Sequence, residues 1–296
     1  MGLGGGIRTY YRWLSILRDK SRAIKAADVW VMKDDEDHSV RAENRATGYQ
    51  VKVPKKAISP SLRRHSGVGY IDISKATDYV IVDNFEGIER FISEDALLKK
   101  FRRDAKLWRQ YVETRLCALI ILRKFDFSAS GTSVFAFYSD LPAAPGDLWG
   151  MAGLEADEAR ILAAWYNSTP NLLQMFLNRT ETRGAWMKID ASALRQSYVL
   201  NYPGLQTSEK RELLSIMKRM AATKSPSILN QLNNHYDLRR ELDEAILEVL
   251  GFGQTEVNRI LKSMYPRLAS EINMLKDLME GGDSDDSEDD ESQDDQ

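Results

Sequence analysis

Apolar positions along the 296-residue chain fall into two textures, β-prone in the first half and helical in the second. After a glycine-rich start (GLGGG, residues 2–6), RTYYRWLSILRDK carries aromatic and aliphatic residues at helical spacing, which predicts a helical lead-in over residues 1–24. From 28 to 85 the pattern shortens to β-prone runs, DVWVM, YQVKV, YIDI and DYVIV. Charged or glycine-bearing turns such as KDDED, NRATG and HSGVG separate them. Ser93 is placed to cap a helix through EDALLKKFRRDAKLWRQYVETR, with Leu97, Phe101, Leu107 and Trp108 on its apolar face. Two further strands, CALIILRKF and SVFAFY, precede a proline-bearing loop, LPAAPGDLWG.

The helical texture then takes over. EADEARILAAWY is amphipathic, and its acidic first turn suits the positive end of a helix dipole. Thr169-Pro170 restarts a helix through NLLQMFL, with Thr169 as cap and proline at the tolerated first position. AWMKID reads as a short strand. Beyond Asn201-Tyr202-Pro203-Gly204 the pattern is wholly helical: EKRELLSIMKRMAA, a helix begun by Ser225-Pro226, and LRRELDEAILEVL stopped by Gly251. A last helix follows Thr255, has Pro266 as its kink point and ends near Glu280. No internal repeat is present. The fold class is therefore α+β: a mixed α/β domain over residues 25–203, a C-terminal helical unit over 204–280, and a disordered acidic tail over 281–296.

Charge changes this picture at one point. The formal net charge is -3, but residues 281–296 (GGDSDDSEDDESQDDQ) hold nine carboxylates and no cation, so the remaining body is +6. A mildly basic body with an acidic tail is compatible with a polyanionic partner. The single cysteine, Cys117, lies in an apolar run and supports neither a disulfide framework nor a thiolate zinc site. His38, His65 and His235 are far apart, so no metal site is expected. No run approaches eighteen consecutive apolar residues, which predicts no membrane contact and, with the lone thiol, a cytoplasmic protein.

The chain lacks the marks of several chemistries. An amino-methylating enzyme needs a glycine-rich turn after a first strand for S-adenosylmethionine, and an Asn/Asp/Ser-Pro-Pro-aromatic loop that grips the flipped base. None of the eight prolines here are adjacent, and the early glycines precede no predicted strand. No Walker loop and no nucleophile–base spacing stands out. No catalytic residue is assigned.

One segment, Trp165 to Asp190 (WYNSTPNLLQMFLNRTETRGAWMKID), carries a specific pattern. It resembles a signature in the C-terminal region of adenine-N6 DNA methyltransferases of restriction-modification and phage-defence systems. There an apolar helix ends in Asn-Ser-Thr, a second helix follows, and a Glu-Thr-x-Gly-aromatic stretch leads into a strand. The matching positions here are Asn167-Ser168-Thr169 and Glu181-Thr182-Arg183-Gly184, with Ala185-Trp186 after them. VPKKAISPSLRRHSGVGYIDIS, DYVIV, LRKFDFSASGTSVFAFYSDLPAAPGDLWG and the closing LRRELDEAILEVLGFG and YPRLASEINMLKDL extend the similarity over about residues 50–280. The resemblance implies that residues 25–203 are a DNA target-recognition domain without the catalytic half. Double-stranded DNA and a separate methyltransferase subunit are the implied partners, with S-adenosylmethionine bound by that subunit and no cofactor in this chain.

The residues also carry readings of their own. Asn167, Ser168 and Thr169 form a helix–helix corner by the capping rules alone, so their meaning is structural or family-specific. Arg179, Thr180, Thr182, Arg183, Gly184 and Trp186 combine cations, hydroxyls and a close-approach glycine in a loop, suited to phosphate or base-edge contact or to plain solvation. Lys55, Lys56, Arg63, Arg64 and His65, together with Lys52, make a basic strip with little intervening acid, which either contacts phosphates or is a solvated loop. Arg123 and Lys124 end a strand, beside Phe125 and Phe127, which are assigned to packing. Lys99, Lys100, Arg102, Arg103, Lys106 and Arg109 cover one helix face, either solvated or tracking a DNA backbone. Leu242, Ile246, Val249 and Leu250, then Val257, Ile260, Leu261, Leu268, Ile272 and Leu275, form apolar stripes that either pack internally or dock a partner subunit. The rival class is a truncated remnant or a non-DNA interaction subunit of a defence complex.

Overall fold

The computed structural model describes residues 14–18, 30–75, 77–178, 180–181, 186–234 and 236–282, the side chains of 180, 181, 186 and 278–282 excepted. Along the chain run β1 (Ser15–Leu17), β2 (Trp30–Asp35), β3 (Ser39–Asn44), β4 (Gln50–Pro54), β5 (Ile58–Leu62), β6 (Asp78–Ile81), α1 (Asp95–Glu113), β7 (Cys117–Ile121), β8 (Lys124–Asp126), β9 (Ala136–Pro145) and β10 (Trp149–Met151). There follow α2 (Ala156–Asn167), α3 (Thr169–Leu177), β11 (Thr180–Glu181), β12 (Trp186–Lys188), α4 (Ala191–Gln196), α5 (Thr207–Ala221), α6 (Ile228–Asn233), α7 (Asp237–Val249) and α8 (Gln254–Gly282). Mixed α and β content is thus the observed fold class, as the patterning predicts. Two compact units divide the chain. Unit one holds the described residues up to Leu122 and Ala136–Ala163, and unit two holds Arg123–Phe135 and the residues from Ala164 onward. This division differs from the one drawn at 203/204 from the sequence, because the helices after Gly204 share a unit with the Asn-Ser-Thr corner.

Unit one is a nine-stranded mixed sheet in the order β10-β7-β9-β5-β6-β1-β2-β3-β4. Its interior position for β1 overturns the helical lead-in where it can be seen. Ile16 pairs with Trp30 of β2 in parallel and with Tyr79 of β6 antiparallel, and Leu14, Ile16 and Leu17 are buried. A strand with neighbours on both sides and both faces covered reads as an unbroken apolar run, which periodicity does not distinguish from a buried helix turn. The rest of the lead-in lies outside the described residues. The β2–β3–β4 meander sets Val40 opposite Val53 and Ala42 opposite Val51, all buried. The stretch expected as a proline-bearing loop is instead the second half of β9, joined to β7 across a register shift between Cys117 and Leu119, followed by β10. Leu141 and Pro142 sit in its exposed middle, where a proline lacks no needed ladder bond. YIDI contributes only an isolated bridge, Asp72 to Tyr138.

Helix α1 seals one core cluster through Leu98, Phe101, Trp108 and Val112. The Trp108 indole N–H donates to the Ile81 carbonyl at 2.8 Å, so the buried ring keeps its polar atom satisfied. Trp30 stacks on Phe91 with centroids 4.0 Å apart. Two expectations change here: Leu107 faces solvent, 56% exposed, and the cap position is Glu94 with no side-chain cap bond, not Ser93. The helix rotates by its 3.6-residue period so that 98, 101, 105, 108 and 112 share a face, which leaves 107 outside.

Unit two contains the antiparallel three-stranded sheet β11-β12-β8, the α2–α3 corner and helices α4 to α8. Phe125, Phe127 and Phe135 form a fully buried aromatic cluster, with Phe125 edge-on to Phe135 at 5.1 Å, as their assignment to packing predicts. Gly251, at φ +93°, adopts the left-handed conformation that ends α7. Helix α8 runs on through Pro266. Its stripe is used internally: Val257, Leu261, Leu268 and Ile272 are buried, as are Leu242 and Ile246 of α7. Among the two stripes only Leu250 is exposed, at 47%, while Val249, Ile260 and Leu275 are half-buried. The tail from 283 to 296 lies outside the described residues.

Candidate nucleic-acid interface

The Asn-Ser-Thr corner proves to be a buried polar node of unit two. Asn167, Ser168 and Thr169 are at most 1% exposed. The Asn167 side-chain carbonyl accepts from the Phe135 N–H at 2.7 Å, and its backbone carbonyl accepts from Arg239 Nη1 at 2.9 Å. Ser168, not Thr169, caps α3 by accepting from the Asn171 N–H, which places Thr169 at the first helical position and Pro170 at the second. Thr169 donates to Asp243 twice, from its backbone N–H at 2.6 Å and its hydroxyl at 2.5 Å. That hydroxyl also accepts from Arg239 Nη1 at 3.2 Å, so a single oxygen links the guanidinium to the carboxylate. Tyr265 donates to the same carboxylate at 2.6 Å, and Arg239 Nε donates to Gln231 at 2.7 Å. Gln231 in turn donates to the Ser133 and Pro226 carbonyls.

Burial pushes the Asp243 carboxyl upward, opposed by Arg239 and by the bonds from Thr169 and Tyr265. Burial and the adjacent Asp243 raise the Tyr265 phenol. A network this closed has no face for a ligand; its role is to fasten α2, α3, α6, α7 and α8 together. Sequence reasoning missed Arg239, Asp243, Gln231 and Tyr265. The available signal was an Arg and an Asp four apart on the buried side of a helix, a pattern that demands partners.

A basic cluster of unit two is assembled by strand pairing. β12 lies between β11 and β8, with Lys188 opposite both Thr180 and Lys124 and Trp186 opposite Asp126. Ile189 donates its N–H to the Arg123 carbonyl at 2.9 Å, which extends the register by one residue. On one face Phe125 and Met187 are buried; on the other Lys124 is exposed and Lys188 half-buried. Like charges set directly opposite on a sheet repel, and the carboxylate near Lys188, that of Asp190, is 3.9 Å away. Two segments more than fifty residues apart in sequence thus contribute to one sheet face. Arg179, Thr182, Arg183 and Gly184 lie outside the described residues; for Thr180 and Trp186 the backbone position alone is described.

Unit one holds the remaining candidates. Lys55 and Lys56 form a single 3-10 turn, and Arg63, Arg64 and His65 follow β5. Arg63 donates its backbone N–H to the buried Asp78 carboxylate at 3.1 Å. Gly146 sits against the same residue so closely that a Cβ there would lie 2.7 Å from the Arg63 carbonyl oxygen. The start of the basic loop is therefore fixed, while Arg64 is exposed and Arg63 and His65 are half-buried. The expected shortage of acid along the strip does not survive folding. The β2–β3 hairpin brings Asp35 within 2.9 Å of Lys55, and Glu36 within 2.7 Å of Lys52 and 2.9 Å of Arg41. Lys52, Ser39 and Arg41 hold the Glu36 carboxyl down at about 2. Burial raises Asp35, but Lys55, Tyr79 and Arg18 outweigh it and leave the carboxyl below its usual range.

Among the described residues no group of three or more His, Cys, Asp or Glu could hold a metal ion, and no helix is long and apolar enough to cross a membrane. No protein-family model matches the chain, and no curated protein matches it. Its fold is similar to part of a solved structure, the type IIG restriction endonuclease BpuSI. The two share 14% sequence identity with a TM-score of 0.51 over 77% of this chain. The matched part is 26% of the BpuSI chain, so this chain spans about a quarter of that enzyme's length.

Proposed function

We propose that this protein is a DNA-binding specificity module of a restriction-modification or phage-defence system, which presents duplex DNA to an adenine-N6 methyltransferase subunit. The observation that carries the reading is the β8–β12 pairing. It sets Lys124, the residue after Arg123, directly opposite Lys188 on β12, the strand that follows Thr182, Arg183 and Gly184 in sequence. Lysines paired across a sheet, with hydroxyl, arginine and glycine residues in the adjoining sequence, have the chemistry for phosphate positioning with base-edge readout. The fold shared with part of a restriction endonuclease supports the system, and the resemblance of residues 165–190 supports the adenine-methylating class.

Methyl transfer is assigned to a second polypeptide. That polypeptide binds S-adenosylmethionine and takes the flipped adenine, because this sequence has no amino-gripping Pro-Pro loop and no glycine-rich cofactor turn. The setting is the cytoplasm. Lys55, Lys56, Arg63, Arg64 and His65 of unit one, and Arg123, Lys124, Arg179, Thr180, Thr182, Arg183, Gly184 and Trp186 of unit two, are the proposed DNA contacts.

Selection of bound duplexes from a random pool, followed by titration of the enriched site, tests the reading. Enrichment of a defined site is expected. Replacement of Arg183 by alanine should relax discrimination at one position by about 1–3 kcal/mol, whereas Lys124→Ala weakens all duplexes alike. Failure to bind any duplex at low salt would overturn it.

One observation favours a second reading as a protein-interaction subunit. In unit two, Trp165, Gln174, Tyr198, Val199, Leu205 and Leu250 line an open apolar cleft, and Tyr198 and Val199 are 83% and 51% exposed.

A further inference from the structure

Helix α1 is amphipathic in an unusual way. Its buried face is locked by Leu98, Phe101, Ala105, Trp108 and Val112, and Trp108 is tied to the Ile81 carbonyl, so the helix cannot roll. The opposite stripe therefore has a fixed orientation. It consists of Lys99, Arg102, Arg103 and Lys106, all exposed, with Lys100 beside it. Acid on this face lies at the ends of the helix, Asp95 four residues before Lys99 and Glu113 seven after Lys106. Asp104 pairs with Arg103 at 2.9 Å, and Glu89 reaches Arg102 only at 3.8 Å. Lys99 and Lys106 make no ion pair among the described residues. At its C-terminal end the stripe meets a second segment: Arg109 donates to the Lys56 carbonyl at 2.9 Å and to Asp83 at 2.6 Å. Helix α1 and the Lys55–Lys56 turn are thus joined through Arg109, with Asp83 at the junction and Asp35 beside Lys55.

We infer that this α1 stripe is a phosphate-backbone contact surface for duplex DNA, distinct from the β8–β12 face and carrying no sequence readout. The inference rests on the DNA-binding reading above. Four exposed cations from Lys99 to Lys106 span about 10 Å of helix, and duplex DNA presents one charge per roughly 1.7 Å of its axis. The stripe is therefore matched to several phosphates at once. Its two arginines face carboxylates, Arg103 that of Asp104 and Arg102 that of Glu89, and its two lysines are point charges with no planar preference. Such a surface positions DNA and adds affinity for every sequence equally.

The test uses the full chain and a random-sequence duplex, with affinity measured across a salt series. The variant Lys99→Gln/Arg103→Gln/Lys106→Gln removes three exposed charges and leaves the buried face intact. The slope of log affinity against log salt should fall in magnitude by about 2 to 3, at roughly 0.9 per lost phosphate contact. Random and selected duplexes should weaken by the same factor. A charge-matched control, Arg211→Gln/Lys218→Gln/Arg259→Gln, alters exposed cations of unit two and should leave the slope nearly unchanged. An unchanged slope in the α1 variant, or an equal fall in the control, overturns the proposal. Loss of slope in the α1 variant with a silent Lys124→Ala/Lys188→Ala variant would uphold the stripe and sink the β8–β12 assignment. Absence of any duplex binding by the unaltered chain overturns both.

Discussion

In unit one, Asp35 and Glu36 meet Lys55, Lys52 and Arg41 on the open side of a hairpin, where every partner is partly in water. In unit two, Asp243 meets Thr169 and Tyr265 with no exposure at all, and Arg239, its indirect counter-charge, is 1% exposed. The ingredients are similar, but solvent separates the consequences. Water and salt screen the hairpin pairs, and their geometry can be lost at little cost. The buried node has no such fallback, because each missing partner leaves a desolvated polar group. The first arrangement tunes a surface; the second holds four or more helices in one register.

The largest test of this contrast is Asp243→Ala. It strands the buried Arg239 and Tyr265 groups and should lower unfolding free energy by about 3–5 kcal/mol in a denaturant titration. A loss under about 1 kcal/mol would show that the node is slack or hydrated. Thr169→Val keeps the shape and removes the hydroxyl that bridges Arg239 to Asp243. A loss of about 1–3 kcal/mol is expected from the same measurement. Lys124→Ala should behave in the opposite manner. Relief of the opposed Lys124–Lys188 pair should leave stability unchanged or raise it by up to about 1 kcal/mol, while duplex affinity falls; a stable variant with full affinity would detach this face from DNA. The smallest effect belongs to Glu36→Gln. The folded carboxyl, held at about 2 against an ordinary 4.5, contributes stability above pH 4.5 that is lost as pH falls toward 2. The stability difference between Glu36→Gln and the unaltered chain should therefore be present at neutral pH and vanish near pH 2. A constant offset across that window would remove Glu36 from the acid response.

Much of the helical half was legible. Helices α2, α3, α5, α7 and α8 follow from apolar spacing with local stop signals, Gly251 among them, since those cues act within a few residues. Strands β2, β4, β6 and β7 were legible from β-branched runs. β3 was not, because SVRAEN has only Val40 and Ala42 to mark its buried face, and β5 carries a proline that argues against a strand. For the candidate site, Lys124 and Lys188 were each readable as cations, but their pairing was not. Nothing near Lys124 announces that Lys188 will lie opposite it.

The sequence by itself determined the class of the fold, most helices, the Gly251 stop, the basic body and the absence of recognisable methyl-transfer loops. Only the tertiary structure decided that Ser15–Leu17 is an interior strand, that Asn167-Ser168-Thr169 is a buried node closed by Arg239 and Asp243, and that Asp35 and Glu36 offset part of the basic strip. The reason is one of range. Propensity and capping are settled by neighbours within a turn or two, whereas burial and charge compensation depend on groups from 15 to more than 70 residues away. Those groups become neighbours only when the chain has folded.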